Sequence, residues 1–171
     1  MALNNDVSRD RNEKWLGDST EVALVQFAFD KNKERTDLEK KFPRVAEIPF
    51  DSTRKCMTTF HKTENRTVGQ AGGIMAITKG AVEIILEKLV ESQKLLIPEL
   101  ESKANEMAEK GYRVIGYAVK EMDTLPELQN FDTIESGLTL IGFAGSPWTL
   151  LVYMINKGSP KKNNNLLKNN K

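Results

Sequence analysis

Within the stretch EIPFDSTRKCMTTF, residues 47–60, one aromatic ring and two cations fall close together: Phe50, Arg54 and Lys55. A flat aromatic ligand can stack on Phe50 while the cations supply charge, and stacking of a nucleic-acid base is worth roughly 1–3 kcal/mol. The competing account is structural, with Phe50 buried beside Ile48, Met57 and Phe60 in a sheet. The turn itself is odd. A tight hairpin calls for Gly or Asn, and Asp51–Ser52–Thr53–Arg54–Lys55 holds neither.

Two further places could do chemistry. Lys79 and Gly80 lie where the β-rich run IMAIT gives way to the helical pattern KGAVEIILEKLVE, so a cation, backbone N–H groups and a helix N-terminus are all available to an anion or a polar ring edge. A capped helix with a solvent-facing lysine accounts for the same residues. Glu21 follows Asp18 by three residues, the spacing of a capping box, which gives it a sufficient structural role unless a ligand lies nearby.

Composition bounds the partners. With 171 residues and 39% apolar content, the chain can bury one core of ordinary size. Its 25 basic and 24 acidic residues leave a net charge of +1, so no global field recruits nucleic acid or an anionic membrane, and any bound anion must be held locally. Cys56 is the sole cysteine and His61 the sole histidine, which excludes an internal disulfide and argues against a zinc site. The opening residues contain no secretory signal, which points to the cytoplasm. Residues 138–155 form a charge-free run of the length of a short membrane span, but Gly142, Gly145, Ser146 and Pro147 interrupt it, so the expectation is a buried strand plus a second short element and no membrane insertion.

The elements that must position these residues alternate between helix and strand. Asp18 caps a predicted helix with Val22, Val25 and Phe29 on its buried face. KNKERTDLEKKF reads as a solvated helix or loop, RVAEIPF as a strand, the run that ends at Phe60 as the next, and IMAIT as the hairpin partner of that run across the polar connection HKTENRTVGQAGG. In the next helix Gly80 is the expected N-cap, Glu83 its box partner, and Val82, Ile85, Leu86, Leu89 and Val90 the apolar face. Pro98 and Gly111 bracket another helix, which runs into the strand YRVIGYAVKEM. Residues 156–171, mostly Asn and Lys, read as a solvated, disordered tail.

GDSTEVAL, PFDSTRKCM, TKGAVE and GYRVIGYA occur in this order, and together they resemble the nucleotide-binding (N) domain of P-type cation-transporting ATPases of the calcium-pump-like type II group. The resemblance runs from about residue 2 to residue 145. It implies an α+β fold, an antiparallel sheet flanked by helices, that begins within the domain and lacks its first strand or two. The implied organisation is a nucleotide-binding N domain over 1–137, an apolar segment of uncertain origin over 138–155 and the tail. The implied ligand is ATP. The motif positions put a hydrogen bond to the adenine amino group on Glu21, the stacking platform on Phe50, the border of the pocket on Lys55, its deep end on Lys79 and Gly80, and a phosphate contact on Arg113.

Val82 replaces the proline usual in the KGAPE motif, a change a first helical turn tolerates. Ser52 stands where animal calcium pumps carry an arginine that reaches toward the phosphates, which implies a weaker phosphate grip. The strings DKTGT and GDGxND, which in the family carry the phosphorylated aspartate and hold Mg²⁺, do not occur in the sequence. The chain is therefore expected to bind ATP without hydrolysing it and to present it to the phosphorylation domain of a parent pump that also has an actuator domain, with Mg²⁺ acting only in the full-length protein. A stand-alone regulatory or interaction domain that keeps the fold without nucleotide is the other functional class. Over residues 140–158 the sequence is similar to a stretch of uroporphyrinogen decarboxylase, with Phe143 and Tyr153 at pocket positions of that family. Only about twenty residues are covered, too few for a decarboxylase site, and the segment reads as a gene-fragment junction or a translation artefact followed by an out-of-frame extension.

Overall fold

The computed structural model describes residues 1–64, 72–146, 151–154 and 167–168. Among them are a small ribbon of β1 (Ser8–Arg9) and β2 (Trp15–Leu16), and an antiparallel sheet in simple sequential order: β3 (Arg44–Asp51), β4 (Cys56–Lys62), β5 (Ile74–Ala81), β6 (Arg113–Met122), β7 (Thr139–Ser146), β8 (Leu151–Met154) and β9 (Leu167–Lys168). The expected α+β architecture, an antiparallel sheet flanked by helices, is present. The sheet continues past residue 137, because β7 pairs with β6 from Arg113↔Ser146 to Val119↔Thr139.

Alternation along the strands assigns the two faces. On one, α1 (Ser19–Asp30) packs Leu24 and Phe27 against Tyr117 and Ala144. On the other, α3 (Val82–Glu87) and α5 (Ile97–Glu109) bury Val82, Ile85, Leu86, Leu100, Ala104 and Met107 against Ala118, Leu140 and Phe143. Phe143, singled out by the decarboxylase-like stretch, is thus part of this core. With both faces covered, Cys56 to His61 of β4 are buried without a break. The remaining helices are short: α2 (Arg35–Lys41), polar with no buried residue, α4 (Glu91–Lys94) and α6 (Phe131–Ile134).

Local chemistry sets the helix ends. Asp18 caps α1 as expected, its Oδ1 accepting from the Thr20 amide at 2.9 Å and the Glu21 amide at 3.4 Å. The buried residues of α1 are Thr20, Leu24, Val25, Phe27 and Ala28, so the predicted face is corrected at Phe29, which is exposed on the side of the β1–β2 ribbon with the Arg9 guanidinium 5.3 Å from its ring. α5 ends at Gly111, with φ of +80°, where the Tyr112 amide donates to the Met107 carbonyl and the Gly111 amide to that of Ala108. This is a Schellman closure, which glycine enters without a Cβ penalty.

The start of α3 departs from expectation. Gly80 lies inside β5, the N-cap is Ala81 with no side-chain cap, and Glu83 points to Lys55 at 3.8 Å instead of closing a capping box. The helix stops at Glu87, and Leu89 forms a parallel bridge with Leu138, so the long apolar face of 82–90 divides between a helix and a strand-like crossing. No helix among the described residues is long and apolar enough to cross a membrane.

Candidate functional site

Phe50 is 59% exposed, which removes it from the core. Strict alternation would have put it on the buried face with Ile48. Ile48 pairs with Thr58 and Asp51 with Cys56, so three steps along β3 oppose two along β4, and one extra residue is accommodated at Pro49–Phe50. Such a bulge reverses the side-chain alternation beyond it. Ile48 faces the cluster with Phe60 and Ile134, whereas the exposed Phe50 lines the cleft with Met57 and Lys79 and also borders a shallower groove beside Arg54 and Phe131. Pro49 suits the bulge, because it has no N–H to offer a ladder.

The turn after Phe50 is built by Asp51. Its Oδ1 accepts from the amides of Thr53 and Arg54, both at 2.9 Å, and its carbonyl accepts from the Lys55 amide at 2.7 Å. The carboxyl is held below the usual carboxylate range, chiefly by the Arg54 amide. An Asp-centred turn thus does the work expected of Gly or Asn, and Lys55 takes the left-handed conformation, with φ of 51°.

Lys79 sits in β5 opposite Met57 on one side and Tyr117 on the other, and it is only 7% exposed. It is therefore not a solvent-facing helix-start lysine. Its Nζ forms an ion pair with Glu21 Oε1 and donates to the Asn4 carbonyl at 3.3 Å. The other Glu21 oxygen accepts from the Asp6 amide at 3.0 Å, so the reciprocal capping-box bond expected of Glu21 is replaced by contacts to two other elements. Burial pushes the neighbouring Tyr117 hydroxyl up, and the Glu21 charge adds to the effect.

Gly80 permits a close crossing of strands. A Cβ there would lie 2.5 Å from the Lys55 carbonyl oxygen and 2.7 Å from Cys56 Cβ, and the adjacent Ala81 amide donates to that carbonyl at 3.1 Å. Arg113 opens β6 with an exposed side chain.

Glu21, Phe50, Lys55, Lys79, Gly80 and Arg113 all line one cleft of about 410 Å³, floored by Met57, Ala81, Val114 and Ile115. Arg54, grouped with Lys55 by sequence, is not among its lining residues; its guanidinium reaches Glu135 and the Pro49 carbonyl. Two carboxylates that motif reading missed, Asp6 and Asp18, also line the cleft. Asp18 carried a helix-cap signal, whereas Asp6 is brought in by contacts distant in sequence, its amide donating to Glu21 and its carboxylate meeting the Arg44 guanidinium at 3.5 Å.

The cleft is polar at its two ends. Glu21, Asp6 and the α1 cap gather acidic groups at one, and Lys55 and Arg113 stand beyond the Ala81 end of β5 at the other. Such an arrangement can hold a flat ring on Phe50, accept from an exocyclic amine at Glu21 and meet an anion at the opposite end. No cluster of three or more Asp, Glu, His or Cys residues among those described could hold a metal ion.

A sequential antiparallel sheet flanked by helices, with an exposed phenylalanine and an ion-paired lysine lining one cleft, defines an α+β domain with a candidate site at the β4–β6 end of the sheet. Residues 1–146 match the family described as the P-type ATPase, cytoplasmic domain N, and the chain belongs to that family. It is 37% identical over 150 residues to calcium-transporting ATPase 1 of Lactococcus lactis subsp. lactis, covering 84% of this chain and 16% of the relative. It is 35% identical over 145 residues to the calcium-transporting ATPase lmo0841 of Listeria monocytogenes, with 82% and 16% covered. The cation-transporting ATPase pma1 of a Synechocystis species is 28% identical over 149 residues, with 85% and 16% covered. The chain thus spans about one sixth of the length of these relatives.

Proposed function

We infer that the cleft binds the adenine end of ATP, with the base stacked on Phe50 and its amino group directed to Glu21, while Lys55 and Arg113 face the phosphates. The observation that carries this reading is the exposed Phe50 ring, turned by a strand bulge into the same cleft as the other five residues. A core phenylalanine would have no use for the bulge. Lys79 holds the Glu21 carboxylate in place, and a carboxylate with several lone-pair sites can keep that ion pair and still accept from an amine.

Within a parent cation pump, the domain would present the γ-phosphate to the phosphorylation domain. Mg²⁺ would arrive with the nucleotide and the partner domain, since Asp18 is engaged as a cap and Glu21 as an ion-pair partner. Calcium is the transported ion that the relatives' names suggest for such a parent.

The isolated chain should bind ATP at roughly 0.1–3 mM, the scale on which 1 mM is about −4 kcal/mol. Phe50→Ala should weaken ATP by roughly 1–3 kcal/mol, the value of a lost stacking partner. Calorimetric or NMR titration checks both, and a folded Phe50→Ala variant with wild-type affinity would overturn the adenine assignment.

A further inference from the structure

Glu135 lies on the face of the sheet away from the cleft, and it is fully buried. Taking a carboxylate out of water costs several kcal/mol unless its oxygens are well partnered. Here they are. Oε1 accepts from Arg54 Nη1 and from Thr58 Oγ1 at 3.0 Å, and Oε2 from the Cys56 thiol at 3.2 Å. Burial, with the Glu135 charge next in weight, pushes that thiol up to about 12, so it remains a donor.

Arg54 does not stop at Glu135. Its second terminal nitrogen donates to the Pro49 carbonyl at 2.6 Å, and its guanidinium carbon lies 4.8 Å from the centre of the Phe131 ring. The fork therefore joins the connection after α6 to the Pro49 carbonyl, which lies in the β3 bulge and immediately precedes Phe50.

We propose that Arg54 and Glu135 are positioning residues that act across the sheet, holding the Pro49–Phe50 bulge so that the Phe50 ring faces the cleft. The proposal rests on the adenine reading for its functional consequence, but the bulge itself can be observed without any ligand. A guanidinium serves two acceptors through separate nitrogens at a fixed angle, whereas a lysine ammonium places its three donors on one atom with no planar fork to fix the angle between Glu135 and the Pro49 carbonyl. Without the fork, regular alternation would carry Phe50 toward the Ile48 side, and the platform would lose its orientation.

The experiment uses Arg54→Lys and Phe131→Leu, the second keeping the ion pair and removing only the ring beside it. Backbone chemical shifts of Phe50 and Asp51 in the nucleotide-free chain report the bulge, and titrations with adenosine and with ATP report the platform. Shifts moving toward regular-strand values are expected, with adenosine and ATP weakened together by roughly three- to tenfold, part of the loss of a stacking partner. In a cycle with Phe50→Ala, the second substitution should add little, because both remove the same contact. If Arg54→Lys fails to fold, Phe131→Leu carries the same expectation at the lower end of that range. Unchanged Phe50 and Asp51 shifts in the folded variants would overturn the clamp. Shifted signals with unchanged affinity would overturn its role in binding, and a Phe50→Ala variant that binds as wild type does would instead overturn the adenine reading.

Discussion

Lys55 occupies the left-handed region, a conformation that costs a residue with a Cβ roughly 1–2 kcal/mol. Nothing in the turn requires a long side chain there, since Asp51 supplies its side-chain and backbone acceptors. The lysine lines the cleft with Phe50, and its Nζ lies 3.8 Å from Glu83. Lys55→Gly should therefore raise stability by about 0.5–1 kcal/mol, after allowance for the greater freedom of glycine in the unfolded chain. It should at the same time weaken ATP. Urea unfolding and a titration on the same sample separate the two effects, and a destabilised Lys55→Gly would mean that the conformation carries no strain.

At the scale of elements, legibility followed the range of the interaction. The Asp18 cap, the Pro98 and Gly111 ends of α5 and the main strands were readable because their causes lie within a few residues. The Pro49–Phe50 bulge was not, because strict alternation puts Ile48 and Phe50 on one face and only the pairing with β4 reveals the extra residue. Glu135 gave no signal, as its partners Arg54, Cys56 and Thr58 lie about eighty positions away in sequence. The Lys79–Glu21 pair was hidden in the same way behind two sufficient local explanations.

Gly80 shows the difference most sharply, since a helix-cap reading makes it replaceable and the observed crossing of β4 and β5 does not. Gly80→Ala must push its Cβ away from backbone at 2.5 Å and should cost about 2–3 kcal/mol, as overpacking against rigid groups does. Gly116→Ala meets only the Ile85 side chain at 3.2 Å and should cost less, about 1 kcal/mol. Urea midpoints rank the two, and equal costs would argue against a tight crossing at Gly80.

Across the whole molecule the charges nearly cancel, and the cleft repeats that balance, with Asp6, Asp18 and Glu21 against Lys55, Lys79 and Arg113. Lys79 is held by Glu21 and Lys55 lies within 3.8 Å of Glu83, so an incoming phosphate must compete for those cations. Most of the binding free energy should then belong to the base. ATP, ADP and AMP are expected to bind within a few-fold of one another, with a shallow dependence on salt, because contacts with exposed, screened cations are each worth less than about 1 kcal/mol. Ser52 offers the reciprocal test. Ser52→Arg adds a planar donor fork to the loop that carries Lys55, and a partly exposed charge-assisted contact of this kind is worth roughly 0.5–1.5 kcal/mol. ATP should gain several-fold and AMP little. A wild-type chain that prefers ATP over AMP by tenfold or more would show that the cations, and not the Phe50 platform, dominate. An unchanged ratio in Ser52→Arg would place the phosphates away from the Asp51–Lys55 turn.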